Sequence, residues 1–330
     1  MSGWQRFVTA MICACLFGAV AACSDSAGKP LRIAINPWPG YAHLFVAADK
    51  GFFADEGVNV ELVEFTSLAD VRRAFERGQV DGMASTLAEV LEVSREGGER
   101  AIICVITDYS NGADVVLADR RYASMAALKG ARIGLEPGTV DRLVLYRALA
   151  VNDMKTGDVI PVAMPQKEMS EAIASGDVQA VISYPPTSVA IQGDNNVSVV
   201  FSSAEIPGEI SDAVSFRESV TKSRQRDLAA FTRAWDRAVD FSQQQPDEAL
   251  TLMSNHTGMS VEDLAAAFEG IEIVSGDEQI SLLSRGGPIA EGLKSLSEVL
   301  WPSEPAHDLA GADLIAASLL AQADPDHGRW

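Results

Sequence analysis

Between residues 31 and 202 the chain repeats one unit, a short apolar run stopped by a turn and followed by a segment of helical period. Apolar or alternating runs predict strands over 31–36, 58–65, 79–84, 100–107, 113–118, 132–135, 159–163, 178–183 and 197–202. Helical spacing predicts helices over 42–50, 68–77, 86–96 and 167–175, and another that opens at Glu136-Pro137-Gly138-Thr139 and runs to about Val151. Strands that alternate with helices need crossover connections, so the expected class is α/β with a sheet rich in parallel pairs. Beyond Asp212 the pattern turns mostly helical. Leu228, Phe231, Trp235, Ala238 and Val239 mark one long helix, and others are expected near 246–255, 260–269, 288–300 and 311–322.

Two polar, turn-rich stretches separate the apolar strands, Asp108-Tyr109-Ser110-Asn111-Gly112 and Ser203-Ala204-Glu205-Ile206-Pro207-Gly208-Glu209. If both cross between lobes, residues 31–108 and 212–330 form one lobe and 109–211 the other. Such a two-lobed α/β architecture surrounds one cleft with strand ends and helix amino ends from both sides, where open α/β sheets take their ligands.

The first 22 residues stand outside this pattern. After Arg6 the run 7–20 is uncharged and broken only by Thr9 and Gly18, too short to span a bilayer comfortably, and Val20-Ala21-Ala22-Cys23 follows it. This resembles a bacterial lipoprotein signal peptide, which implies cleavage after residue 22, lipidation of Cys23 and a polar tether over 23–30. Cys13 and Cys15 would leave with the leader, so Cys104 alone remains in the body and no intramolecular disulfide is expected. Cys104 lies in the apolar run 101–106 and reads as a core hydrophobe. The histidines His43, His256, His307 and His327 are scattered, and neither a metal nor a cofactor is expected. Acidic residues outnumber basic ones 46 to 26, a net charge of −20, which leaves no broad basic face for phosphates and excludes nucleic acid as an expected partner.

Several motifs then occur in series: Ile35-Asn36-Pro37-Trp38-Pro39-Gly40-Tyr41, Ala47-Ala48-Asp49-Lys50-Gly51-Phe52-Phe53, Gly78-Gln79-Val80-Asp81-Gly82-Met83-Ala84-Ser85-Thr86, Ser110-Asn111-Gly112-Ala113-Asp114 and Leu128-Lys129-Gly130-Ala131-Arg132-Ile133-Gly134. In this order, over about residues 30–216, they resemble solute-binding proteins of the nitrate, sulfonate, taurine and thiamine-precursor family (SsuA/NMT1-like). The resemblance implies a type II periplasmic-binding-protein fold, two lobes joined by a two-segment hinge that close on a small molecule. It also implies delivery to an ABC permease by a monomer held at the periplasmic face of a bacterial membrane through its lipid alone. A sensory receptor feeding a membrane kinase or cyclase, or a biosynthetic enzyme on the same fold, are the competing classes. No Ser-His-Asp set, paired-carboxylate set or cysteine-rich iron motif supports catalysis.

Asn36, Trp38 and Tyr41 follow the first strand in a Pro-stiffened loop, where the aromatics form a candidate wall for a cation. Tyr184-Pro185-Pro186 follows a strand and looks like the family's aromatic-proline cleft loop. Ser85 and Thr86 read as ligand contacts or as helix caps. Gly138 and Thr139 read as an anion site at a helix amino end or, again, as a cap. Asp108, Ser110, Asn111, Asp114, Glu205 and Asp212 fall in or beside the crossings, and neither 108–114 nor 203–212 contains a lysine or arginine. Carboxylates without partners in a closing cleft repel an anion, so an amine-bearing molecule or cationic heterocycle is the expected ligand class.

Overall fold

The computed structural model describes residues 28–95, 99–193, 196–303 and 311–316. The leader, Cys23 and residues 317–322 of the expected helix 311–322 lie outside them, and the start of that expected helix is the 3-10 turn Gly311–Leu314. In chain order the first side is built from β1 (Leu31–Ile35), α1 (His43–Asp49), α2 (Phe52–Asp55), β2 (Val60–Glu64), α3 (Leu68–Glu76), β3 (Gly82–Thr86), α4 (Leu87–Arg95) and β4 (Ala101–Ser110). The second side holds β5 (Val115–Asp119), β6 (Arg132–Leu135), α5 (Asp141–Val151), β7 (Ile160–Ala163), α6 (Met169–Ser175), β8 (Ala180–Ser183), α7 (Thr187–Gln192) and β9 (Val197–Ser202). The chain then returns as β10 (Ser211–Arg217), α8 (Glu218–Ser223), α9 (Gln225–Gln244), α10 (Pro246–Thr257), α11 (Val261–Phe268), β11 (Ile271–Ile273), α12 (Gly276–Leu282) and α13 (Pro288–Leu300).

Two mixed sheets result, one of six strands in the order β11-β4-β10-β3-β1-β2 and one of five in the order β7-β6-β8-β5-β9. The parallel pairs β1–β2, β1–β3, β6–β7 and β6–β8 come from the strand–helix alternation. The antiparallel pairs come from the strands next to the two passages between the sheets. Those passages run over 111–114 and 203–210, so the first begins after Ser110 rather than after Asp108. They lie side by side: the hydroxyls of Ser110 and Ser203 are 2.8 Å apart, Gly112 N donates to Ser203 Oγ, and Ser203 N donates to the Asp114 carbonyl.

The expectation of helix beyond Asp212 fails at its start. Residues Ser211–Arg217 form β10, hydrogen-bonded between β3 and β4 and antiparallel to both. Ser211, Asp212 and Ser215 are all buried there, so polar residues at inward positions hide the apolar pattern that marks the other strands. The short strand β11 and helix α12 are likewise not anticipated by periodicity.

Helix starts are shifted for local reasons. Thr86 ends β3 and caps α4 instead of opening it, its hydroxyl accepting from Ala88 N at 3.1 Å. Gly138 takes a positive φ of 73°, which delays α5 to Asp141.

Helix α9 anchors the first sheet. Phe231 stacks on Phe53 with centroids 5.6 Å apart and meets Phe216 of β10 edge-on at 5.3 Å, while Trp235 beside it is fully buried. Cys104 is buried in β4, in keeping with a packing role. Strand β4 carries an irregularity where Asp212 pairs with Asp108 but Ala213 pairs with Ile106. The Gln279 side chain serves the backbone there. Its Oε1 accepts from Ile106 N at 2.9 Å, and its Nε2 donates to Ile106 O at 2.6 Å. A buried side chain thus continues the edge pairing that β11 begins.

Replacing Gln279 by Leu strands both groups, at about 1–3 kcal/mol each. Gln279→Leu is therefore expected to lower unfolding free energy by roughly 2–6 kcal/mol in urea titrations with an unchanged slope. A loss within about 0.5 kcal/mol would show that the bond pair is dispensable.

Candidate ligand-binding site

Strand order brings the site together. β1 and β3 are parallel, and β10 is antiparallel to both β3 and β4, so the carboxyl ends of β1, β3 and β4 meet the amino end of β10 at one edge. In that row Asp212 stands opposite Thr86 on one side and Asp108 on the other. In the second sheet the carboxyl end of β8, followed by Tyr184, lies beside the amino end of β5, preceded by Asp114. Between the two edges is a cavity of about 10 Å³, the room of a single water. Its lining from the first side is Asn36, Trp38, Tyr41, Leu68, Thr86 and Asp212, and from the second Asp114, Val140 and Tyr184.

Two hydrogen bonds hold the aromatic wall. Trp38 Nε1 donates to Asp108 Oδ1 at 3.1 Å, and the Tyr41 hydroxyl donates to Asp212 Oδ1. Trp38 meets Tyr184 edge-on at 6.2 Å. Gly40 is required by this arrangement, because a Cβ there would come within 2.1 Å of Asp108 Oδ2 and 2.5 Å of Trp38 Nε1. Asp108 Oδ2, Asp212 Oδ2 and both polar atoms of the Asn36 amide are buried without a protein partner. Groups of that kind cost free energy unless something meets them.

None of the nine lining residues is a lysine or arginine, while carboxylates crowd the site. Burial raises the pKa of Asp114 to about 6 and that of Glu89, on α4, to about 7. Asp108 and Asp212 are pushed up by burial, and Asp108 raises Asp212 further through its charge. Asp141, at the start of α5, is also pushed well up by burial. Among the described residues no group of three His, Cys, Asp or Glu side chains is disposed to hold a metal ion.

The remaining expected residues fall elsewhere. Asp108 stands behind Trp38. Ser85 is buried with its hydroxyl on the Thr86 carbonyl at 3.3 Å, and Ser110 is tied to Ser203 at the passage between the sheets. Asn111 Nδ2 donates to Glu272. Glu205 is a correction: it is exposed, and its carboxylate accepts from Ser202 N at 3.1 Å, capping its own 3-10 turn. At the amino end of α5, where Gly138 and Thr139 were expected to take an anion, a guanidinium stands beside the glycine and the helix amide is already met by a carboxylate of the chain. Gly138 lies against Arg72, whose Nη2 would be 2.9 Å from a Cβ, and Thr139 Oγ1 donates to the Glu136 carbonyl. The free amide at the amino end of α5, Val140 N, donates at 2.7 Å to Glu89 Oε1. Glu89, Glu136, Asp141, Leu68 and Val140 were not anticipated, although the spacing of Thr86 and Glu89 is that of a capping box.

Residues 25–254 match the model of the NMT1-like family. The chain belongs to that family. A Brucella abortus (strain 2308) protein described as a binding protein is 29% identical to this NMT1-like chain over 184 residues, 55% of this chain and 56% of its own length, so the match spans little more than half of either. Two solved structures share the fold. The periplasmic aliphatic sulphonate binding protein SsuA from Escherichia coli has a TM-score of 0.70 at 15% identity, covering 89% of this chain and 100% of its own. The periplasmic nitrate-binding protein NrtA from Synechocystis PCC 6803 has a TM-score of 0.71 at 15% identity, covering 89% and 87%. All three are described as binding proteins, and the NMT1-like chain has the periplasmic-binding-protein fold of the two solved structures.

The raised carboxylates set a pH dependence. Each binds its proton more tightly in the folded than in the unfolded chain, so its contribution is fully present below about pH 4 and is lost as pH rises through 6 to 7. His43, buried and lowered to about 4, acts in the opposite sense between about 4 and 6.5, one group against several. The surface carboxylates Glu56, Asp70, Glu99 and Glu218, all held low, act only below the ordinary carboxylate range. Calorimetric melting of the protein without added solute is expected to give a higher midpoint at pH 5 than at pH 8, and Asp212→Asn should flatten the difference. An equal or higher midpoint at pH 8 would contradict this electrostatic account.

Proposed function

We propose that the chain is a solute-binding protein. It takes a small amine-bearing molecule or cationic heterocycle into the cleft between its two sheets and passes it to an ABC permease at the periplasmic face of a bacterial membrane. A lipid on Cys23 anchors it there. The observation that carries the ligand class is the lining itself: two aspartates, two tyrosines, a tryptophan and an unpartnered amide, with no basic residue. A cation entering beside Trp38 and Tyr184 would meet aromatic surface on its apolar side and Asp114 and Asp212 on its charged one. The sulfonate and nitrate binders share only the fold, and the helix end that would suit an oxyanion here is held by Glu89.

A cavity of about 10 Å³ admits no such solute, so capture requires the sheets to part. The paired passages at Ser110 and Ser203 are the place about which they would do so. A ligand stabilises the closed arrangement only through contacts absent from the open one, and contacts drawn from both sheets meet that condition. The competing receptor and enzyme classes draw no specific support from the site.

A thermal-shift screen of amines, pyrimidines, amino acids, sulfonates, nitrate and bicarbonate tests the proposal. An amine or cationic heterocycle should raise the melting temperature by about 5–10 °C at roughly a hundredfold excess over its Kd. Asp212→Asn should abolish that shift, and Trp38→Ala should weaken binding at least about tenfold, the loss of a desolvated cation–π contact and its packing. Stabilisation by sulfonate, nitrate or bicarbonate alone would overturn the ligand class.

A further inference from the structure

Across the cleft each side hands a carboxylate to a helix of the other. Glu136, which precedes α5, accepts from Ala69 N in the first turn of α3 at 3.3 Å, and the Tyr184 hydroxyl accepts from Leu68 N at 3.2 Å. In return Glu89 accepts from Val140 N at the amino end of α5. These helices have nine and eleven residues, and their first N–H groups have no intrahelical partners, so each end favours a negative group.

Glu89 has two duties, one on each oxygen. Oε2 accepts from Thr86 N at 2.9 Å and from Thr86 Oγ1 at 2.6 Å, which closes a capping box on its own helix. That local role needs one oxygen. Oε1 is free of it and spends its lone pair on Val140, across the cleft and 51 residues away in sequence. The carboxylate is fully buried. Val140 and Thr86, its two partners, both line the cavity into which Asn36 turns its unpartnered amide.

We propose that Glu89 is a specificity-determining residue, a carboxylate of the chain itself that takes the oxyanion place at the amino end of α5 and so closes the cleft to anionic solutes. This deepens the reading of the cleft as a solute site and rests on it. A helix end holding one negative group offers no second place for another, and an incoming anion meets Asp114 of the lining and Glu89 just behind Thr86 and Val140 as like charges. A cation meets the same groups as partners.

The test uses the full chain carrying Glu89→Ala or Glu89→Gln at pH 8, with sodium formate and sodium nitrate as probes and formamide as the neutral control. Glu89→Ala removes the internal anion and leaves its donors and its space. Its melting temperature is expected to rise with formate or nitrate in the millimolar range and to ignore formamide, while the wild type ignores all three. A Glu89→Ala protein with wild-type circular dichroism and no anion response would overturn the proposal, as would a wild type that responds equally.

Glu89→Gln decides the matter should the alanine variant not fold. Glutamine keeps the capping oxygen but turns an NH2 group towards Val140 N–H. Hydrogen exchange at Val140 should then quicken at least tenfold while exchange at Thr86 and Ala88 stays slow. Unchanged protection at Val140 would show that Glu89 does not hold that helix end. None of these readouts involves binding of a cation, so failure here and failure of the amine screen are separate results.

Discussion

Taking a carboxylate out of water is tolerable only where donors or a countercharge replace the solvent, and the cleft of this protein meets that condition incompletely. Asp212 lies in a buried row between Thr86 and Asp108. It receives one hydrogen bond, from Tyr41, and Asp108 receives one from Trp38, which leaves an oxygen of each without a partner. The wall of the cleft follows from those two bonds. They fix Trp38 and Tyr41, exclude any side chain at position 40, and offset only in part the burial that pushes both aspartates towards the protonated form. The fold bears this cost through the first sheet and the aromatic packing of α9 beneath it.

Stability and recognition pull against each other at this edge. Neutral amides in place of Asp108 or Asp212 would suit the empty protein better at neutral pH, yet they would remove the charge that the cleft holds ready. Buried polar groups kept at such a cost are characteristic of sites whose partner arrives from outside. The exchange of Glu89 and Glu136 between the two sides differs in kind, because both carboxylates are met by backbone N–H groups. Those groups complete the closed arrangement, whereas Asn36, Asp108 and Asp212 are left incomplete by it.

Much of this was legible in the residues. The strand–helix alternation marked nine strands of the two sheets, and the proline-bounded turn after β1 singled out Asn36, Trp38 and Tyr41, all three of which line the cavity. Composition marked the charge asymmetry but not its address. Asp114 and Asp212 line the cavity, while Glu205 caps its own turn at the surface, and nothing in the local sequence separates the two outcomes. Strand β10 was hidden because its inward residues are polar, which only the neighbouring strands explain. Glu89 was hidden because a capping-box spacing accounts for one of its oxygens, and the use of the other depends on a helix 51 residues away.

The cleft confines carboxylates that burial, with no countercharge in the lining, holds above their ordinary range. Carbonyl-carbon NMR titration of the side-chain carboxyl groups, in protein without added solute, reads this directly. Asp114 is expected to titrate near 6 and Glu89 near 7, with Asp108 and Asp212 shifted in the same direction, and the resonances assigned by Asp108→Asn and Asp212→Asn should vanish from that set. If every carboxyl group of the cleft instead titrates in the ordinary range near 4, the cleft is solvated or its charges are paired, and the case for a cationic solute falls with it.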